Sequence, residues 1–262
     1  MNILIMTDIE GISGIYCKEQ VLPSLPRFQE GRLFMTLEVN ACAEACKEAG
    51  ADKVFVRDCH GGSYSLIWEK LSESADYYIC GYSGDERYAA PEDFDGVILL
   101  GYHAMAGTMG GVLEHSMNST AVQNYWINGE KIGETALDAG MLGEIGKPVI
   151  LVTGDDKVCR EAEALLPGVV TAEVKKGMTS FGAMLLPPRK AHQLIREKTM
   201  EAIKKLPEIK PFAFPAPVEF KVELMERVQL PGTLGKPWIK IHDGRTYSVT
   251  ADTLTNAYHL AK

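Results

Sequence analysis

The chain has none of the short signatures that mark common nucleotide-binding and hydrolytic sites. Its 262 residues contain no G-x-x-x-x-G-K-[ST] loop and no G-x-G-x-x-G after an apolar run, so a nucleotide site lacks support. H-E-x-x-H and G-x-S-x-G are also missing, which excludes a helical zinc-peptidase motif and a nucleophile elbow. No two of the six cysteines (Cys17, Cys42, Cys46, Cys59, Cys80, Cys159) form C-x-x-C. Basic residues are in the minority, 27 against 35 acids, for a formal net charge of -8. That balance argues against nucleic acid or an anionic membrane surface as the main partner, because both require basic stripes. No stretch approaches the roughly 20 apolar residues of a membrane span. Low-complexity segments and internal repeats are absent. Whatever chemistry the chain performs must come from dispersed residues.

What is present describes an ordinary globular enzyme: 46% apolar and 24% charged residues, enough to bury a sizeable core. The opening run Met1 to Thr7 is too short for a signal segment, has no basic residues before it and leads into carboxylates. A cytoplasmic location is therefore expected, with the cysteines reduced. The Asn118-Ser119-Thr120 sequon then carries no meaning.

The apolar patterning predicts alternating strands and helices. Strands are expected at 2–7, 53–57, 77–80, 96–101, 122–127, 148–153 and 169–174. Helices are expected at about 28–49, 64–73, 133–145 and 155–165, with Asn128-Gly129 as a tight turn. This alternation implies an α/β fold, a mainly parallel sheet sandwiched by helices. Composition shifts after residue 185. A charged helix from Pro187-Pro188 to about 205, a connector with Pro207, Pro211, Pro215 and Pro217, two strand-like runs and a last helix follow. Residues 1–184 are read as the catalytic domain and 185–262 as a smaller α+β unit.

The acids and histidines fall at particular places in this pattern. Asp8 and Glu10 follow the first strand, Asp58 and His60 the second, and His103 the strand ending at Gly101. Ligands of parallel α/β sheets bind at the carboxyl ends of the strands. Three strands thus deliver two carboxylates and two imidazoles to one sheet edge. Such donors without thiolates suit catalytic zinc, or manganese, cobalt or iron. One carboxylate can bridge two ions. Glu134, at a helix start, is a candidate fifth ligand, with Asp138 one turn further as reserve. Asp58 is placed to orient the His60 ring. Taken singly, each has a plainer reading: a turn or cap acid for Asp8 and Glu10, a loop histidine for His60 and His103, a dipole-favoured acid for Glu134. The agreement of three strand ends favours the joint reading. His115 lies in a loop with Gly107, Gly110 and Gly111, and can act as proton shuttle, anion stabiliser or nucleophile. His192, His242 and His259 are read as structural or surface residues.

The segment Met6-Thr7-Asp8-Ile9-Glu10-Gly11-Ile12-Ser13-Gly14 resembles the opening of the D-aminopeptidase family, known from a dipeptide-transport operon. Gly31-Arg32-Leu33-Phe34-Met35-Thr36, Asp58-Cys59-His60, Gly101-Tyr102-His103-Ala104, His115-Ser116-Met117, Ile127-Asn128-Gly129 with Gly133-Glu134, and Gly154-Asp155-Asp156 continue the match through residue 156. The resemblance implies a site for two zinc ions per subunit held by Asp8, Glu10, His60, His103 and Glu134, with Asp8 as bridge. It implies that His115 is catalytic, that N-terminal D-amino acids are released from short peptides, and that subunits form a ring-shaped homodecamer. Cys59 and Arg57 depart from the family pattern without removing a ligand. Two rival functions are another metal-dependent hydrolase on the same centre, such as an amidohydrolase or phosphoesterase, and a non-catalytic peptide-binding or transport accessory protein.

Overall fold

A computed structural model describes residues 1–82, 93–226 and 230–262. In chain order the strands are β1 (Asn2–Thr7), β2 (Lys53–Asp58), β3 (Tyr77–Ile79), β4 (Gly96–Tyr102), β5 (Val122–Ile127), β6 (Glu130–Ile132), β7 (Val149–Asp155), β8 (Val170–Thr179), β9 (Gly182–Leu185), β10 (Val218–Leu224), β11 (Ile239–Ile241) and β12 (Thr246–Ala251). The helices are α1 (Phe28–Glu48), α2 (Glu134–Glu144), α3 (Asp156–Leu165), α4 (Pro188–Lys205) and α5 (Leu254–Ala261).

The large sheet runs β3-β2-β1-β4-β7-β8-β9. All its pairings are parallel except the terminal β8–β9 hairpin. Its central strands β1, β4 and β7 are buried almost throughout, as a sheet covered on both faces requires. Ile3, Ile5, Ile98 and Leu100 face α1 and α4, while Leu4, Met6, Val97 and Leu99 face the α2–α3 side. β1 lies between β2 and β4, so the chain leaves it toward one side and later returns on the other. This reversal opens a crevice beyond the carboxyl ends of β1 and β4. The α/β fold class agrees with the sequence reading.

A second, antiparallel sheet runs β11-β12-β10-β5-β6. Its core joins Tyr125, Ile127, Phe220, Val222 and Val249 to α5 and to one side of α2. The other side of α2 (Ala139, Leu142) packs into the large sheet's core. α2 is therefore buried between both sheets, with apolar residues on both sides.

The sheets do not divide the chain at residue 185. α4 packs on α1 and β8 of the large sheet, with Ala191, Ile195, Ala202 and Ile203 in its core. β5 and β6, N-terminal to 185, belong to the small sheet. A second difference lies at 64–73, where a single 3-10 turn (Trp68–Lys70) replaces the expected helix. Side chains of α1 take the backbone groups that a helix would use. Arg32 donates to the carbonyls of Ser65 and Leu66, Thr36 Oγ1 accepts from Ile67 N, and Asn40 bonds Lys70 O and Ser72 N. No described helix is long and apolar enough to cross a membrane.

Candidate metal centre

The end of β1 passes directly into the loop that carries Asp8 and Glu10. That loop crosses the end of β4 at van der Waals limits. Gly11 N donates to Gly101 O at 2.7 Å, and a Cβ on Gly11 would stand 1.9 Å from Tyr102 O. Gly101 has φ +72°, and a Cβ there would lie 2.4 Å from Asp8 O. Only glycine satisfies both the close approach and the left-handed backbone. Gly101→Ala should cost about 2–4 kcal/mol of stability, measured by denaturant unfolding, because it forces the Asp8 and His103 loops apart.

From beneath, the same loop is gathered by buried Lys175. Its Nζ donates to the carbonyls of Glu10, Ile12 (2.9 Å) and Ile15 (2.8 Å). Glu38 accepts from Ser13 N at 2.9 Å. Burial lowers the Lys175 pKa to about 8, opposed by Asp155, Glu38 and Glu10. Sequence reading missed this lysine for a definite reason. Val170, Ala172 and Val174 face inward along β8, so alternation points residue 175 outward. A register shift opposite Gly154 and Asp155 turns Lys175 inward as well. Lys175→Met should destabilise the protein by about 3 kcal/mol, since it strips three carbonyls of their donor.

The remaining side chains reach the crevice from just past β2 and β4, from the His115 loop and from the start of α2. His60 Nε2 lies 3.5 Å from Glu10 Oε1. His103 Nε2 lies 3.5 Å from Asp8 Oδ2 and 3.2 Å from Glu134 Oε1. His115 Nε2 lies 3.6 Å from Glu134 Oε1, and its ring stacks on that of His103 with centroids 4.0 Å apart. Asp8, Glu10 and His103 form one group of donor atoms all within 4.8 Å of one another, and His103, His115 and Glu134 form another. All six residues singled out from sequence thus meet in one place. Met117 N donates to Glu134 Oε1 at 2.7 Å, tying the His115 loop to the start of α2.

Each ring is held by its other nitrogen. His103 Nδ1 donates to Ala104 O (3.0 Å) and His115 Nδ1 to Leu113 O (2.9 Å). A carbonyl can only accept, so Nδ1 carries a proton and Nε2 is the nitrogen turned toward the carboxylates. His60 Nδ1 meets Ser65 Oγ at 3.0 Å. Asp58 does not touch the His60 ring as expected. Its oxygens accept from the backbone N–H of His60 and of Ser65, so it shapes the loop while Ser65 steers the ring. Asp138, the reserve ligand, accepts from Tyr102 Oη at 2.7 Å. Sequence reading also missed Glu161, which accepts from Met105 N at 2.9 Å and braces the chain just past His103.

The electrostatics call for a cation. Asp8, Glu10 and Glu134 are each about 95% buried or more, and carboxylates cluster in such space only when compensated. Burial raises the Asp8 pKa well above the ordinary range, and Glu10 and Glu134 push it further. Burial opposes protonation of His103 and His60, yet Glu134 with Asp8 holds the first up at about 10, and Glu10 holds the second at about 9. His103 Nε2 and Glu10 Oε2 are buried and make no hydrogen bond. Two orphaned donor atoms among carboxylates and imidazoles, with thiolates absent, fit a borderline cation such as zinc. His115 differs: burial, then the neighbouring His103, lowers its pKa, which favours the uncharged ring.

A profile of the D-aminopeptidase family matches residues 1–262. The chain belongs to this family. A curated D-aminopeptidase from Bacillus subtilis (strain 168) is 34% identical over 251 residues, covering 94% of this chain and 89% of the relative. Among solved structures, the Zn-dependent D-aminopeptidase DppA from Bacillus subtilis, described as a self-compartmentalizing protease, superposes with TM-score 0.92 at 33% identity. That match covers 99% of this chain and 95% of DppA. The D-aminopeptidase fold therefore spans both sheets, including the part beyond residue 185.

Proposed function

We propose that this chain is a binuclear zinc aminopeptidase that releases N-terminal D-amino acids from short peptides. One observation carries the reading: Asp8, Glu10, His60, His103 and Glu134 arrive from four separate segments at one buried point, where His103 Nε2 and Glu10 Oε2 are enclosed without a hydrogen bond. Asp8, Glu10, His60, His103 and Glu134 would hold the two ions. When bound, such ions polarise a scissile carbonyl and lower the pKa of water. The protein's own residues supply the proton traffic. The neutral His115 presents Nε2 as a base, takes a proton from the attacking water and returns it to the leaving amine. Its Nδ1–H bond to Leu113 O stabilises the imidazolium that forms between these transfers. Ala104 O and Ser65 Oγ fix the His103 and His60 rings, so no reorientation is needed when substrate enters.

The name of the Bacillus relative supports the D-preference, and its description as self-compartmentalizing supports a ring of copies, which we take to be a decamer. Exposed Met178, Phe181 and Met184 on the β8–β9 hairpin offer apolar surface for such contacts. Six free thiols suit the cytoplasm.

Assays with D-alanyl and L-alanyl peptides, a cyclic amide and a phosphate ester, with and without chelator, test the reading. Cleavage of the D-peptide alone, lost on chelation and restored by zinc, is expected. Preferential cleavage of the cyclic amide or phosphate ester would transfer the same centre to another hydrolase class. Peptide binding without cleavage would favour the accessory-protein reading.

A further inference from the structure

A cavity of about 380 Å3 opens beside the centre, with Glu10 and His115 among its walls. That volume lies in the ~300–1,000 Å3 range of small-ligand sites. Its remaining walls mix apolar side chains (Val21, Leu22, Leu113, Val122, Phe181) with polar ones, Glu114 among them. Lys18 is the only lysine or arginine among the described residues that line it. It begins the single-turn helix Lys18–Gln20, and its Nζ stands 5.4 Å from the centroid of the Phe181 ring. The hairpin that carries Phe181 is itself bonded to the His115 loop, through Leu113 N to Ser180 O at 2.9 Å.

Resting on the peptidase reading above, we infer that Lys18 binds the free C-terminal carboxylate of the substrate, so that the site selects short peptides with both ends free. An aminopeptidase substrate of a few residues has two charged termini. Its amine is used at the acidic end of the cavity, beside Glu10. The carboxylate of a peptide of a few residues then needs a cationic partner along the same cavity. Lys18 is the group that the described walls provide. It is exposed and flexible, so it can follow peptides differing by a residue, and Phe181 restrains it against leaving the cavity.

The test compares kcat/KM for D-Ala-D-Ala and D-Ala-Gly-Gly with their C-terminal amides, for the wild-type protein, Lys18→Met and Lys18→Arg. The wild type should prefer the free acids. Lys18→Met should lower the acid-to-amide ratio about tenfold or more, mainly through KM, and Lys18→Arg should keep most of the preference. A ratio unchanged in Lys18→Met, or a wild type indifferent to amidation, overturns the inference while leaving peptidase activity in place. A wild type that cleaves none of these peptides overturns the peptidase reading and this inference with it.

Discussion

Asp8→Ala should leave the protein without bound zinc and lower D-peptide cleavage at least about 10^3-fold, a loss of roughly 4 kcal/mol in transition-state stabilisation. The same substitution should not weaken the metal-free fold. In the absence of a cation, Asp8 is an unfavourable group: burial, Glu10 and Glu134 all disfavour its charge. Its side chain accepts from Ile9 N at 2.9 Å inside the buried loop, a bond whose loss offsets part of the gain from removing that charge. Thermal melting should therefore show metal-free Asp8→Ala at least as stable as metal-free wild type. Added zinc should raise the wild-type midpoint and barely move that of the variant. Retention of wild-type zinc content by Asp8→Ala would remove this residue from the centre.

His115→Ala is the complementary case. Turnover should fall by about 10^2–10^4-fold, the range for loss of a general acid–base group, while zinc content stays as in wild type. The ring is within reach of Glu134 and stacks on His103, so it could instead serve as a ligand. The two roles separate cleanly in measurement. A proton-transfer role affects kcat and leaves metal affinity alone, whereas a ligand role lowers zinc content in step with activity. The loop itself should survive the change. Leu113 and Met117 take positive φ on either side of His115 and are held by Ser180 O and Glu134 Oε1 rather than by the ring. Full activity in His115→Ala would end its catalytic assignment.

The convergence of the candidate residues is readable from sequence to the extent that it follows strand ends. Asp8, Asp58 with His60, and His103 each stand just past an apolar run, and a parallel sheet gathers such positions along one edge. Pairing of β1 with both β2 and β4 then makes those three ends neighbours. Where the reading failed, long-range hydrogen bonds had replaced local rules. The 64–73 segment has helix-compatible residues, but Arg32, Thr36 and Asn40 claim its backbone. Asp58 was expected on the nearest ring, and instead accepts two backbone N–H groups. Lys175 was invisible because a register shift broke the alternation that places lysines outside. The composition change near 185 marks a change in charge, while α4 still completes the large sheet's cover and β5 with β6 already belongs to the other sheet.

The most direct measurement of the central claim is an anomalous difference map collected at the zinc edge from crystals grown with zinc. Two peaks should appear per subunit, both within bonding reach of the set Asp8, Glu10, His60, His103 and Glu134, and with Asp8 touching both. An absence of peaks there, or zinc bound elsewhere while those five side chains pair with one another, would contradict the account.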